Sequence, residues 1–213
     1  MTTSIELPDR AFAQIHSGVR EEHPTPPGAL LSADHDLADA LRAAQDGDAT
    51  GFATLWRALH PAVLRYLRVL IGDHAEDAAS ETWLQVIRDL HRFHGGPADF
   101  RGWLFRIARH RGIDQRRRRA ATPTPHPDGG TAPDAATQAL EDDATTWALG
   151  LVGTLPPDQA EAVMLRVVAG LDVATTARIL GKRPGAVRIA TMRGLRRLAA
   201  NPQITRLLAP EEV

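Results

Sequence analysis

Residues 155–199 read LPPDQAEAVMLRVVAGLDVATTARILGKRPGAVRIATMRGLRRLA, and this stretch decides the fold. Its apolar residues recur every three or four positions, which is the spacing of one face of an α-helix. Proline suits the first turn of a helix and glycine suits its end, so Pro157, Gly170, Gly181 and Pro184 divide the stretch into three short helices. The face of the first helix predicted to be buried consists of Ala160, Val163, Met164 and Val167. The corresponding face of the third helix consists of Val187, Ala190, Leu195 and Leu198.

The last two of these helices are joined by a short turn at residues 181–183. A short helix, a glycine-containing turn and a longer basic helix are typical of the helix-turn-helix, whose second helix enters the DNA major groove. Arginines on its outer face could contact phosphates and bases. On periodicity alone, a helical hairpin with a solvated basic face is an equal alternative. The candidate DNA-contacting residues are Arg183, Arg188, Thr191, Met192, Arg193 and Arg196.

A second basic stretch, FRGWLFRIARHRGIDQRRRR at residues 100–119, holds eight arginines and one acidic residue. Its apolar stripe, which includes Trp103 and Ile107, predicts a helix with one buried and one basic side. The net charge of the chain is only −1, yet residues 120–162 hold seven acids and no basic residue. Basic and acidic residues are thus segregated along the chain. The stretch alone fits either a surface that binds a polyanion or a helix with a merely solvated basic side.

Further amphipathic patterns upstream predict helices at about 34–46, 52–70 and 73–92, with a kink or break at Pro61. Because no alternating strand pattern occurs, the predicted fold is all-α. We predict two small helical domains, joined by a flexible acidic linker that is rich in Pro, Gly and Thr. The predicted boundaries are a poorly ordered extension at 1–33, a first domain at 34–119, the linker at 120–142, a second domain at 143–202 and a tail at 203–213.

Composition excludes several classes of protein. The chain contains no cysteine, so neither a disulfide framework nor a thiolate metal site is possible. Its first residues do not resemble a signal peptide, and no apolar run is long enough to span a membrane. The expected location is therefore the cytoplasm, and no motif points to a cofactor.

Residues 155–198 resemble region four of the bacterial extracytoplasmic-function sigma factors. These proteins belong to the sigma-70 family of RNA polymerase subunits. Three upstream stretches, GDATGFATLWRALHPAVLRYL, AEDAASETWLQVIRDLHRF and FRGWLFRIARHRGIDQRRRR, resemble region two of the same family in the right order. The resemblance implies a non-enzymatic protein that binds core RNA polymerase, recognises the −35 and −10 promoter elements and assists promoter melting. Polyanion binding thereby becomes the favoured interpretation of residues 100–119.

Site residues follow from the same resemblance. The helix-turn-helix would contact the −35 element, and the loop at residues 94–100 would meet an unstacked base of the −10 element. Trp103 is predicted to be core, because it shares the stripe of Ile107. The −10 contacts would come from Phe100, Arg101, Arg106, Arg109, His110 and Arg111. The face that docks on the clamp of the largest polymerase subunit would consist of Asp77, Ser80, Glu81, Gln85 and Arg88.

The implied partners are core polymerase, promoter DNA and an anti-sigma protein. The linker would thread toward a positively charged channel of the polymerase, although a charged spacer is an equal alternative. The chain departs from the family pattern at Ser80, Thr175, Thr176, Arg183 and Ala190, and two of these departures have local structural consequences. Thr176 is predicted to bury a hydroxyl that needs a partner, and Arg183 replaces a capping serine, which weakens the start of that helix.

Two other classes of function fit the sequence less well. A stand-alone helix-turn-helix regulator would need a receiver or ligand domain, which residues 36–118 do not resemble. An enzyme could use a metal site built from His91, His94, Asp99 and His110, but no catalytic motif accompanies them. Neither a catalytic residue nor a metal ligand is therefore predicted.

Overall fold

The computed structural model describes residues 30–121 and 138–204, and every regular element within them is a helix. This confirms the all-α prediction. Residues 1–29, 122–137 and 205–213, which hold most of the predicted extension, linker and tail, lie outside the described residues. The helices are α1 (Leu30–Gln45), α2 (Ala49–Ile71), α3 (Ala75–Asp89), α4 (Pro97–Ala121), α5 (Gln138–Gly153), α6 (Pro157–Val163), α7 (Val173–Leu180) and α8 (Pro184–Ala199). Both ends of the stretch predicted as linker are thus helical.

The N-terminal unit consists of α1–α4. After α1, Gly47 has a left-handed φ of 89°, and Asp48 begins α2 by accepting a hydrogen bond from the Thr50 amide at 2.9 Å. Gly51 lies where α1 and α2 cross, because a Cβ there would come within 2.8 Å of the Ala40 carbonyl oxygen. The turn, the N-cap and the close helix contact at Gly51 position α1 against α2. The core of this unit includes Leu37, Leu41, Leu55, Leu59, Val63, Leu67, Trp83, Val86, Leu104 and Ala108.

Helix α2 runs through Pro61 without interruption, so the break offered as one outcome at this proline does not occur. A proline inside a helix removes one amide donor and leaves the carbonyl four residues earlier, that of Arg57, without its helical partner. Pro61 and Arg57 are both exposed, so water can reach that carbonyl. On the inner side, burial of Leu59 and Val63 stabilises the helix across the proline.

The C-terminal unit consists of α5–α8, and α6 continues into a π-helical segment at Met164–Val168. There the Ala169 amide donates to the Met164 carbonyl, five residues back, at 2.9 Å. The wider turn shifts the helical register, so Leu165 is fully buried and Val167 is 58% exposed. The prediction that Val167 faces the core is wrong because it assumed a uniform helical period.

Helix α8 packs on α6 through a glycine. Val187 is fully buried, and Gly194, about two turns later, is also buried. A Cβ on Gly194 would lie only 2.7 Å from Cγ2 of Val163, so the backbones approach closely here. Leu195 is instead 44% exposed, and its predicted place in the core is wrong. The apolar pattern selected the leucine because its neighbouring glycine carries no hydrophobic signal.

The two units pack against each other, and buried residues of both form one continuous hydrophobic cluster. Helix α2 contacts α5, α6 and the π-helical segment, and α4 contacts α7. The units predicted as separate domains thus share a core in this conformation. Among the helices described, none has both the length and the apolar character needed to cross a membrane.

Candidate nucleic-acid interface

The turn of the helix-turn-helix is fixed by side-chain and backbone caps. Asp172 begins α7 by accepting hydrogen bonds from the Thr175 hydroxyl at 2.7 Å and from the Thr175 amide at 2.9 Å. These bonds lower the pKa of Asp172. Gly181 ends α7 with a φ of 65°, and its amide donates to the Ala177 carbonyl. The arrangement sets the angle at which α8 leaves α7.

The structure agrees with what was predicted for Thr176 and Arg183 in this motif. Thr176 is fully buried, and its hydroxyl finds the partner it needs by donating to the Asp172 carbonyl at 2.8 Å. Arg183 occupies the N-cap of α8 and makes no capping bond with its side chain. The helix therefore depends on Pro184 and on packing, rather than on a polar cap, for its first turn.

Helix α8 presents a basic surface, which we call the α8 basic face and define as Arg183, Arg188, Arg193, Arg196 and Arg197. All five side chains are exposed, and none forms an ion pair within the described part of the chain. Thr191 is half-buried and donates its hydroxyl to the Val187 carbonyl. Met192 is exposed, as are Ile189 and Leu195, which the sequence did not single out as surface residues. The face can therefore bind an anion without first breaking internal contacts.

The residues predicted to contact the −10 element do not share one environment. Arg106 and His110 are exposed on α4, and Arg101 is half-buried. Arg109 is paired with Glu161 of the C-terminal unit, with Nε 3.0 Å from Oε1. Arg111 donates to the Oε1 atom of Gln85, with Nε at 3.1 Å. In this conformation, only part of the predicted basic surface is open to a nucleic acid.

Phe100 does not lie in a loop, as predicted, but in the first turn of α4, and it is fully buried. Its ring packs against Phe93 with centroids 5.6 Å apart and against Trp103 at 5.8 Å. The prediction that Phe100 meets a base is therefore corrected: its ring is buried in the core against Phe93 and Trp103. Its position one turn before the stripe residue Leu104 could have indicated this burial.

A cleft of about 730 Å³ opens beside that loop, between the two units. Phe93 and Trp103 form its aromatic wall, with ring centroids 5.2 Å apart. Trp103, predicted as core, is only half-buried, so one edge of its ring reaches the cleft. Flat rings beside cations suit unstacked bases and phosphates. The cations lining the cleft are Arg92 and Arg106 from the N-terminal unit and Arg178 from the C-terminal unit.

The residues predicted to dock on polymerase, which are Asp77, Ser80, Glu81, Gln85 and Arg88, lie on α3. We call these residues together with Leu84 the α3 face. Asp77, Ser80 and Arg88 are exposed. Glu81 accepts from Arg118 of α4 at 3.1 Å. Sequence reasoning missed Leu84, which is 48% exposed among these polar residues. Its place outside the buried stripe of Ala79, Trp83 and Val86 was the available signal.

Within the two described segments, no three histidine, aspartate or glutamate side chains converge as metal ligands would. His91, His94, Asp99 and His110 therefore form no cluster. Asp99 instead accepts a hydrogen bond from the Gly96 amide at 3.2 Å and so braces the loop before α4.

Taken together, a helix-turn-helix with an open basic face and a cleft between the units that is lined by aromatic rings, three arginines and two aspartates are typical of a DNA-binding protein of two helical units. Residues 55–122 match the family model of Sigma-70 region 2, and residues 146–198 match that of Sigma-70 region 4. The chain therefore belongs to the sigma-70 family of RNA polymerase sigma factors, in its extracytoplasmic-function (ECF) group, as its relatives show. A stand-alone regulator is not favoured.

Among similar proteins, the ECF RNA polymerase sigma factor ShbA of Streptomyces griseus is 35% identical over 174 residues, which are 74% of this chain and 90% of that protein. BldN of Streptomyces coelicolor is 34% identical over 79% of this chain and 67% of its own length. The structure of CnrH in complex with the cytosolic domain of CnrY is similar at a TM-score of 0.53 and 25% identity, covering 79% of this chain and 96% of CnrH.

Proposed function

We propose that this sigma factor binds core RNA polymerase through the α3 face, contacts −35 duplex DNA with α8 and holds the melted −10 element on α4. The proposal rests on the two matched regions, which occur in the order that the family has. It also rests on the α8 basic face, whose exposed arginines form no ion pair within the described residues. A protein of this kind supplies binding and orientation, whereas the chemistry of RNA synthesis belongs to the polymerase.

For the −35 element, we assign phosphate and base contacts to Arg188, Thr191, Met192, Arg193 and Arg196, with Arg183 at the helix start. The N-terminal part of a recognition helix reaches base edges, and residues farther along contact phosphates. Arg188 lies one turn after the start of α8 and is exposed. It is therefore the side chain best placed to read a base, because arginine can donate two bonds to guanine.

For the −10 element, we assign contacts with the single strand to Arg101, Arg106, Arg109 and His110, and contact with the unstacked base to Trp103 on the N-terminal wall of the cleft. Arg111, which is bonded to Gln85, is assigned to hold α4 in position for these contacts. Single-stranded DNA is bound by cations that follow its backbone and by rings on which its bases stack. Arg106 and Trp103 supply one group of each kind on the same cleft. Phe100 supports this site from inside the core and is not assigned a contact.

For core polymerase, we assign the docking surface to the α3 face, including Leu84. Interface centres are commonly apolar with a polar rim, and one exposed leucine surrounded by Asp77, Glu81 and Arg88 fits that pattern. The expected location is the cytoplasm, because the polymerase and the chromosome are there. We also propose an anti-sigma protein as a partner, for which the exposed Ile189 and Leu195 provide apolar surface that none of the assigned DNA contacts uses.

Run-off transcription with bacterial core polymerase on a genomic promoter library, with and without this protein, tests the proposal. Protein-dependent transcripts whose promoters share two sequence elements at a fixed spacing are expected. A lack of transcripts, together with tight binding of the protein alone to duplex DNA, would favour the stand-alone regulator instead. The same experiment would identify the promoter sequence.

A further inference from the structure

One carboxylate of the C-terminal unit is held by two side chains of the N-terminal unit. Arg109 donates from Nε to Oε1 of Glu161 at 3.0 Å and from Nη2 to Oε2 at 3.3 Å. Tyr66 donates its hydroxyl to Oε1 at 3.1 Å. The guanidinium therefore meets both carboxylate oxygens, which is the geometry in which arginine also holds phosphate.

The three groups lie largely away from solvent. The side chains of Arg109 and Glu161 are 23% and 14% exposed, and Tyr66 is 1% exposed. Burial lowers the pKa of Arg109, but the hydrogen bond and charge of Glu161 outweigh this effect and raise it. Burial and then the charge of Glu161 raise the pKa of Tyr66, so its phenol stays a donor. Arg109 and Tyr66 thus form a donor pair that is built to hold an anion.

We propose that Arg109 and Tyr66 form an anion site with two alternative occupants. In the closed chain, which is the conformation described here with the two units packed together, Glu161 occupies the site. When the two units separate, a phosphate of the −10 strand occupies it. The inference rests on the proposed function, because it assigns this phosphate to promoter DNA. Glu161 then acts as an intramolecular competitor of DNA. The closed chain binds a single strand weakly, since only the open fraction offers the site.

The position of Arg109 supports a role on the DNA side. It lies on α4 one turn after Arg106, which is exposed at the cleft between the units. Residues three apart are neighbours on a helix surface, so the two cations can contact adjacent phosphates once Glu161 has left. In the closed chain, Arg109 instead helps hold α6 against α4.

A second contact between the units offers a way to open the chain without changing its charge. A Cβ added at Gly102 of α4 would come within 2.7 Å of Cγ2 of Thr175 on α7. Thr175 cannot easily turn away, because its hydroxyl donates to Asp172 at 2.7 Å and accepts from Arg178 at 2.9 Å. Gly102→Ala should therefore push the units apart, and Thr175→Ser, which removes the methyl but keeps the hydroxyl, should relieve the clash.

The test uses the full chain, which has no native cysteine and can be labelled at Ala58→Cys and Ala199→Cys, both exposed positions. Fluorescence energy transfer between the labels reports opening, and the anisotropy of a short fluorescent single-stranded DNA of mixed sequence reports binding. Glu161→Gln is expected to lower energy transfer and to raise DNA affinity by about fivefold or more. Circular dichroism checks that each variant keeps its helices.

Gly102→Ala should give the same two changes, and adding Thr175→Ser should reverse them. Adding Arg109→Gln to Glu161→Gln should return DNA affinity to the wild-type value while the chain stays open. The proposal is overturned if Glu161→Gln opens the chain without a gain in affinity, if it leaves the chain closed, or if the gain survives the loss of Arg109.

These outcomes are distinct from failure of the proposed function. If the wild-type chain directs run-off transcription but Glu161→Gln binds single strands no better, the anion site is wrong and the sigma function stands. If no variant directs transcription but the gain in affinity occurs and depends on Arg109, the anion site stands and its assignment to promoter DNA is wrong.

Discussion

Arg111 of α4 donates through Nε to Oε1 of Gln85 on α3 at 3.1 Å, and its Nη1 lies 4.0 Å from Oε2 of Glu81. The helix assigned to the −10 element is thereby bonded to the helix assigned to polymerase. Because Arg111 is bonded in this way, we expect its substitution to act mainly on the angle between the two helices. Arg106, which is exposed on the same helix, is the residue to which we assign a direct contact with DNA.

Substitution of these two arginines should therefore affect different properties of the protein. Arg111→Ala should lower the free energy of unfolding by about 1–2 kcal/mol, because half-buried Gln85 loses its partner. Arg106→Ala should leave the stability unchanged but weaken single-strand binding and reduce its salt slope by about 1. Urea denaturation and anisotropy titrations at several salt concentrations measure both effects. An equal loss of stability in the two variants would contradict the distinction.

The α3 face should be tested at residues that make no bond to α4. Leu84→Arg and Asp77→Arg are each expected to reduce binding to core polymerase by tenfold or more, roughly the cost of placing an unpaired charge in an interface. Glu81 is a poorer choice, because its bond to Arg118 would also be lost. A pull-down with core polymerase measures the effect, and Arg57→Ala, at an exposed residue of α2, is the control. Unchanged binding in both variants would remove this face from the interface.

Features with a local physical cause could be predicted from the sequence. The end of α7 at Gly181 and the buried hydroxyl of Thr176 were both predicted correctly, because each depends on residues within a turn or two. The helices of the N-terminal unit followed from apolar periodicity for the same reason. The family resemblance then supplied the functions of α4 and α8, which periodicity alone left undecided.

What the sequence did not indicate depends on long-range packing or on residues without a hydrophobic signal. The partners Arg109 and Glu161 are 52 positions apart, and nothing local connects them. Val167 was misplaced because a π-helical segment shifts the register, and Leu195 because the contact is made by Gly194. Burial of Phe100 was missed because helix α4 begins at Pro97, before the stretch assigned to the loop ends.

For the −35 element, Arg188→Ala should weaken binding to promoter duplex by about 1–3 kcal/mol and relax the preference at one base pair. The expected cause is the loss of a two-bond contact between a guanidinium and a base. Association with core polymerase should be unchanged, because α8 is far from the α3 face in sequence and belongs to the other matched region. Gel shifts with substituted promoters and a polymerase pull-down measure the two properties. Loss of both would contradict the assignment of separate roles to the two units.

The cap of α7 makes stability depend on pH in a defined direction. The pKa of Asp172 is lowered in the folded chain, so its contribution is present above the unfolded pKa and is lost as the pH falls through the folded value. Asp172→Ala should lower the free energy of unfolding by about 1 kcal/mol at neutral pH. The difference from wild type should shrink below about pH 4. Asp172→Asn, which keeps an acceptor, should lose less, and a pH-independent difference for Asp172→Ala would contradict the role of the charge.

The crossing of α1 and α2 should be the least tolerant glycine position of the N-terminal unit. A Cβ at Gly51 would come within 2.8 Å of two backbone atoms, the Ala40 carbonyl oxygen and the Ala44 amide nitrogen, and backbone cannot move aside as a side-chain end can. Gly51→Ala should therefore lower the free energy of unfolding by about 1–3 kcal/mol, as overpacking does. Gly150→Ala is the matched control, because Gly150 is an exposed helical residue with no atom within 4 Å of an added Cβ. It should raise the stability by up to about 1 kcal/mol. Thermal and urea unfolding of both variants provide the measurement, and destabilisation by Gly150→Ala as large as that by Gly51→Ala would show that close packing is not the cause.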